Sequence, residues 1–305
     1  MSELPRKFTA LVTPFHSDEK VDYAGLRENI DYQVRQGWAP LVLGTTGEAP
    51  TIDSREFKKI VRAAVEETAG RLPVMVGTGT NSTKATVDKT EIAKKLGADV
   101  ALVVMPYYNK PEPAGQLDHF RAAAEAGLPI VMYDIMGRTG RAIDYGVICE
   151  LARHPNVVGY KAATHELKDG TFHVLSEMVA RELSSETFRV WSGDDGRTLT
   201  LMEGSDAHGV ISVASNVYPE EVGELVDRVA EGDFSSAARI NALLDPLFQA
   251  LFRESNPIPV KAAMNLRQAA GYEGMHAGAY RLPMTEPREA TVTELREVLS
   301  NLKLI

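Results

Sequence analysis

Lys161 ends a short apolar, β-branched run, Val157-Val158-Gly159-Tyr160-Lys161, in which it is the only charged residue. A lysine at the carboxyl end of a buried strand is costly unless it pairs, snorkels or reacts. Its ε-amine ordinarily titrates at about 10.4. Desolvation lowers that value, and a neutral amine adds readily to a carbonyl. Lys161 is therefore a candidate Schiff-base lysine; the competing reading is a strand-end lysine pointing into solvent. What weighs for the first is the company Lys161 keeps. Gly44-Thr45-Thr46-Gly47-Glu48 sets two hydroxyls and a small-residue turn directly after an apolar run. Such a turn either opens its amides toward a small carboxylate or is an ordinary connection. Tyr107-Tyr108-Asn109-Lys110-Pro111 places two phenols in a loop, as a proton relay or as an aromatic interface plug. Arg138 follows Tyr133 by five residues, and its guanidinium fork suits a substrate carboxylate or a surface ion pair. Gly193, Asp194 and Asp195, and the run Val210-Ile211-Ser212-Val213, close two further apolar stretches.

Other chemistries find little support. The seven histidines (His16, His119, His154, His165, His173, His208 and His276) are scattered, with no H-E-x-x-H or paired-ligand spacing, which speaks against a metal-dependent aldolase. Gly77-Thr78-Gly79-Thr80 begins like a dinucleotide loop but lacks the third glycine, and no Walker A pattern occurs.

The elements that must position these groups alternate regularly. Strands are predicted at Phe8–Pro14, Pro40–Gly44, Pro73–Gly77, Val100–Met105, Pro129–Asp134, Val157–Lys161, Phe188–Ser192 and Gly209–Val213. Helices are predicted at Tyr23–Gln36, Ser54–Ala69, Thr83–Leu96, Gln116–Ala126, Tyr145–Arg153, Thr171–Arg181, Arg197–Gly204 and Pro219–Ala230. Gly37, Gly70, Gly97, Gly127 and Gly232 stand where left-handed helix ends are wanted, and Asp53 where a helix N-cap is. Eight strand-helix pairs are the count for a closed (β/α)₈ TIM barrel, with an open doubly wound sheet as the alternative. In a barrel the functional groups gather at the carboxyl ends of the strands, where Lys161, Thr45, Thr46, Tyr108, Tyr133, Arg138 and Gly193 all fall. The tail reads helical at Ser235–Arg253, Val260–Ala270 and Thr291–Asn301, broken by Pro257, Pro259, Pro283 and Pro287. The expected organisation is a catalytic barrel over residues 1–232 and a C-terminal helical domain over residues 233–305.

Composition bounds the rest. The 305 residues carry a net charge of −9 with no basic patch of the kind that binds nucleic acid. Cys149 is the single cysteine, so no disulfide forms within the chain, and a buried inert thiol is expected. The start, MSELPRKFTA, lacks a signal-peptide core, and no apolar run approaches ~18 residues. A soluble cytoplasmic protein with no membrane partner is expected.

In order along the chain, ALVTPF, GTTGE, PYYN, the strand-five tyrosine with RTG downstream, GYKAAT, SGDD, HGVISV, NPIPVK and RLPM resemble the dihydrodipicolinate synthase/N-acetylneuraminate lyase family nearly end to end. The resemblance implies a (β/α)₈ barrel with a C-terminal helical domain, no organic cofactor, and a homotetramer built from tight dimers. It implies condensation of pyruvate with L-aspartate 4-semialdehyde to 4-hydroxy-tetrahydrodipicolinate, in lysine and diaminopimelate biosynthesis. Lys161 matches the lysine that condenses with pyruvate and Tyr133 the proton-shuttling tyrosine. Thr45 matches the threonine linking Tyr133 to a second tyrosine, and Tyr108 that second tyrosine, which reaches across the dimer interface. Thr45 and Thr46 would hold the pyruvate carboxylate, Arg138 would receive that of the semialdehyde, and Gly193 and Ile211 would line the pocket. Two alternatives are a lyase acting on a sugar-derived 2-oxo acid, whose members as a rule lack the RTG arginine, and a non-catalytic 2-oxo-acid-binding paralogue. The chain departs from the family in having Asp134 where Asn is usual and Ala162 where Glu is usual. At positions that bind inhibitory L-lysine in some members it has Ser54, Phe57 and Ala85, with Asn81 and Tyr107 retained, so weak or absent lysine inhibition is expected.

Overall fold

The structure, a computed structural model, describes residues 4–163 and 171–305. Thr164 of the GYKAAT motif and His165 lie outside the described residues. Eight strands, β1 (Lys7–Ala10), β2 (Ala39–Val42), β3 (Met75–Gly77), β4 (Val100–Val104), β5 (Ile130–Asp134), β6 (Val157–Ala162), β7 (Arg189–Ser192) and β8 (Gly209–Ser212), are hydrogen-bonded in sequence order around a closed barrel. β1 pairs with β2, and each of β3 to β7 with the next strand, in parallel. All eight coincide with expected strands, because strands of a parallel sheet are buried on both faces and read as continuous apolar runs. β1 is shorter than expected. Beyond Ala10 the Val12 amide is taken by the Asn216 side chain at 3.2 Å, and Pro14 has no amide to give.

Helices follow the strands with the expected boundaries to within a few residues. Ser54–Thr68 shows why. The Asp53 carboxylate accepts from the Arg55 and Glu56 amides at 2.7 and 2.8 Å, while Glu56 accepts from the Asp53 amide at 3.1 Å, a reciprocal cap. Phe57, Ile60, Val61 and Ala64 then form its buried stripe. The five glycines expected past helix ends all take positive φ. In the tail, the expected Ser235–Arg253 is Phe234–Ala250 and runs through Pro246. Pro259 does not break the chain as expected: it lies in the first turn of Ile258–Ala269, where its missing amide has no helical partner to lose. Cys149 is half-buried rather than buried.

Backbone contacts divide the chain into two compact units. The first joins the segment up to Arg6 to Met75–Ile211. It holds β3 to β7 and β8 up to Ile211, with Val100, Met132, Tyr160, Val190 and Trp191 fully buried. The second joins Lys7–Val74 to Ser212–Ile305. It holds β1, β2 and the C-terminal helices, with Trp38, Leu41, Leu244 and Leu299 fully buried. Among the described residues no helix is long and apolar enough to cross a membrane.

Candidate active site

Between β5 and β6 the ladder shifts register at Ile130/Val131, leaving Val158 without a partner; from there on Lys161 stands opposite Tyr133. A shift of one residue exchanges the two faces of a strand, so this irregularity decides which side chains share a face. Gly159 permits it. A Cβ there would lie 2.3 Å from the Arg189 carbonyl oxygen and 2.6 Å from the Trp191 ring.

Lys161 and Tyr133 are only 4% and 5% exposed, which removes the reading of a solvent-facing lysine. The Lys161 amine sits 4.5 Å from the centroid of the Tyr133 ring. Burial pulls its pKa down to about 8, and the carboxylate of Asp195 pulls the other way. Desolvation wins because the amine is wholly enclosed, whereas the acid acts through charge alone. Asp195 is itself buried, in a short turn after β7, where Asp194 accepts from the Gly196 amide at 3.1 Å. Gly193 gives the lysine its room: a Cβ there would come within 2.7 Å of Lys161 Cε and 2.6 Å of Ala163 Cβ. Lys161, Tyr133 and Gly193 thus form one cluster, and the arrangement can hold a largely desolvated amine beside a phenol.

The remaining candidates are placed as follows. Ile211 is fully buried on β8. Arg138 is exposed on a four-residue helix, Met136–Thr139, within a segment expected to be irregular. Tyr108 is 88% exposed on a left-handed backbone with φ +68°. Thr45 and Thr46 belong to the second unit. There the Thr45 carbonyl accepts from the Glu48 amide at 3.1 Å, and the Thr46 hydroxyl from Asn256 at 3.0 Å.

Two buried charged groups escaped the sequence reading as parts of a site. In the second unit Lys261 donates to Glu48 at 2.9 Å and to the carbonyls of Ala279 at 2.7 Å and Thr13 at 3.3 Å. Burial raises the Glu48 pKa and lowers that of Lys261, and their mutual attraction opposes both shifts. The signal was available, since Lys261 is a lone charge in an apolar helix start, as Lys161 is in its strand. The other group is Asp134, at the end of β5, which burial pushes up to about 7.

A closed parallel barrel with a buried, partly neutral amine at the carboxyl end of its sixth strand has the constitution of a lysine-dependent carbonyl enzyme. The profile of the dihydrodipicolinate synthetase family matches residues 3–302, and the chain belongs to that family. The 4-hydroxy-tetrahydrodipicolinate synthase of Methanospirillum hungatei JF-1 is 42% identical over 296 residues, covering 96% of this chain and 97% of that protein. The crystal structure of dihydrodipicolinate synthase from Aquifex aeolicus matches with a TM-score of 0.90 at 42% identity, over 99% of each chain. That of the Cyanidioschyzon merolae enzyme with lysine bound matches with a TM-score of 0.91 at 35% identity, over all of both chains.

Proposed function

We propose that this chain condenses pyruvate with L-aspartate 4-semialdehyde to give 4-hydroxy-tetrahydrodipicolinate. Family membership supports the reaction, and the observation that carries it is the Lys161 amine, buried at a strand end with its pKa near 8 and 4.5 Å from the Tyr133 ring. Neutral Lys161 adds to C2 of pyruvate, and loss of water gives an iminium. The iminium draws electrons from C3, which loses a proton to give the enamine. C3 of the enamine attacks the aldehyde carbon. The amine of the second substrate then adds to C2, expels Lys161 and closes the ring. The electron sink is the iminium itself, so the scheme needs no organic cofactor.

In this scheme Tyr133, Thr45 and Tyr108 pass the protons, a contribution of roughly 10² to 10⁴ in rate. Thr45 and Thr46 hold the pyruvate carboxylate, Arg138 receives that of the semialdehyde, and Gly193 and Ile211 line the site. The exposed phenol of Tyr108 is assigned to the neighbouring site of a tight dimer, two of which make a homotetramer. We place the enzyme in the cytoplasm, with residues 1–232 as the catalytic barrel and residues 233–305 as a helical domain. The test is a coupled assay of purified protein with pyruvate and a panel of aldehydes. Turnover with aspartate semialdehyde is expected; turnover confined to sugar-derived aldehydes would overturn the assignment.

A further inference from the structure

Asp134 closes β5 immediately after Tyr133, and successive strand residues point to opposite faces. Its carboxylate is fully buried and lies with Tyr160, the residue before Lys161. One oxygen, Oδ2, accepts from the Tyr160 hydroxyl at 3.0 Å and from the Ile143 amide at 3.1 Å. The other, Oδ1, is buried with no hydrogen-bond partner. The Asp134 carbonyl also accepts from the Ala163 amide at 3.0 Å. One residue therefore joins the end of β5, both flanks of Lys161 on β6, and the far end of the segment running from Ile135 to Ile143.

That segment carries Arg138. Its four-residue helix is too short to hold itself, since helix nucleation fixes several residues for each hydrogen bond gained. Within the segment the buried Thr139 hydroxyl donates to the carbonyls of Ile135 at 3.2 Å and Arg141 at 2.7 Å, and further ties hold its margins. Gln116 donates to the Ala142 carbonyl at 3.2 Å and accepts from the Asp144 amide at 2.8 Å, and Arg141 pairs with Glu112 at 2.6 Å on the surface. The Asp134 tie differs from these in being fully buried and in reaching the strand that bears Lys161. Leaving a carboxylate oxygen unpartnered in the interior carries a desolvation penalty, so the residue is an expensive choice for filling space.

We propose that Asp134 is a positioning residue that clamps the segment 135–143 and so fixes Arg138 for the carboxylate of the second substrate. The proposal rests on the assignment of Arg138 made above. Asp134→Ala removes the clamp and Asp134→Asn keeps an oxygen that accepts from Ile143. In Asp134→Ala the KM for aspartate semialdehyde is expected to rise about tenfold or more, the loss of one charge-assisted bond, with a smaller change in kcat and in imine formation from pyruvate. In the same variant the loosened backbone after Arg138 and Arg141 should be cut by trypsin, and Asp134→Asn should restore both the KM and the resistance to cleavage. The cleavage readout needs no substrate, so it stands even if the semialdehyde proves not to be the partner. If Asp134→Ala does not fold, Asp134→Ser makes the same test, its hydroxyl being too short to span to Ile143. Unchanged trypsin resistance and unchanged KM in the folded variant would overturn the proposal, as would an equal loss in imine formation and semialdehyde use.

Discussion

Lys161 and Tyr133 stand opposite each other on adjacent parallel strands, with the lysine nitrogen 4.5 Å from the centroid of the phenol ring. A cation over an aromatic face is stabilised, and Asp195 adds to that stabilisation. Enclosure outweighs both and brings the amine down to about 8.

The first prediction is a pH profile. With a pKa of about 8, about a tenth of the Lys161 amine is neutral at pH 7, against roughly one part in three thousand for an ordinary lysine. The rate of imine formation with pyruvate should climb about tenfold between pH 6 and 7 and level off above pH 8. Asp195→Asn removes a group that raises the pKa, so the bend should move to lower pH. Quenched-flow trapping at a series of pH values measures this. A rise continuing unbent to pH 10 would contradict it.

A second prediction concerns the pair Glu48 and Lys261, 0% and 2% side-chain exposure at the lysine and glutamate. Removing one member of a buried pair costs about 3–5 kcal/mol, because the other charge is left uncompensated. Lys261→Met should lower the thermal midpoint strongly, and the double variant Glu48→Gln with Lys261→Met should recover much of the loss. Equal midpoints for the single and double variants would show that the pairing is not what matters.

A third follows from Asp134, whose carboxyl titrates at about 7 in the folded chain against 3.8 ordinarily. Between those values the folded state holds a proton that the unfolded state has lost. Stability is therefore intact below the unfolded value and falls as pH rises to the folded one. The gap from 3.8 to about 7 corresponds to about 4 kcal/mol. Asp134→Asn has no such proton to lose, so its thermal midpoint relative to the wild type should rise from pH 4 to pH 7 and then stay level. A difference independent of pH would contradict this.

A fourth concerns inhibition. Phe57 is buried in the stripe of its helix, and Ser54 and Ala85 offer no charge to an amino group. Losing two charge-assisted bonds weakens binding by about two orders of magnitude or more. L-lysine should inhibit weakly or not at all; half-inhibition at sub-millimolar lysine in a standard titration would refute this.

The barrel was legible because its strands are apolar on both faces and its helices carry local caps such as Asp53 with Glu56. Lys161 was legible as the only charge in its run. What the sequence did not disclose was pairing at long range. The partner of Lys261 lies in the GTTGE turn, and the end of β1 is set by Asn216, far along the chain. Asp134 could be noticed as an acid after Tyr133, but its bond to Ile143 depends on how the intervening segment returns. The register shift at Val158, which brings Lys161 opposite Tyr133, has no local pattern to announce it.

The central claim is that Lys161 carries the chemistry as an imine with pyruvate. Borohydride reduction of the protein with pyruvate, followed by peptide mass analysis, tests it most directly. A three-carbon adduct on the peptide containing Lys161, absent without pyruvate and absent from Lys161→Ala, is the expected result. No adduct, or an adduct carried by another lysine such as the buried Lys261, would contradict the account.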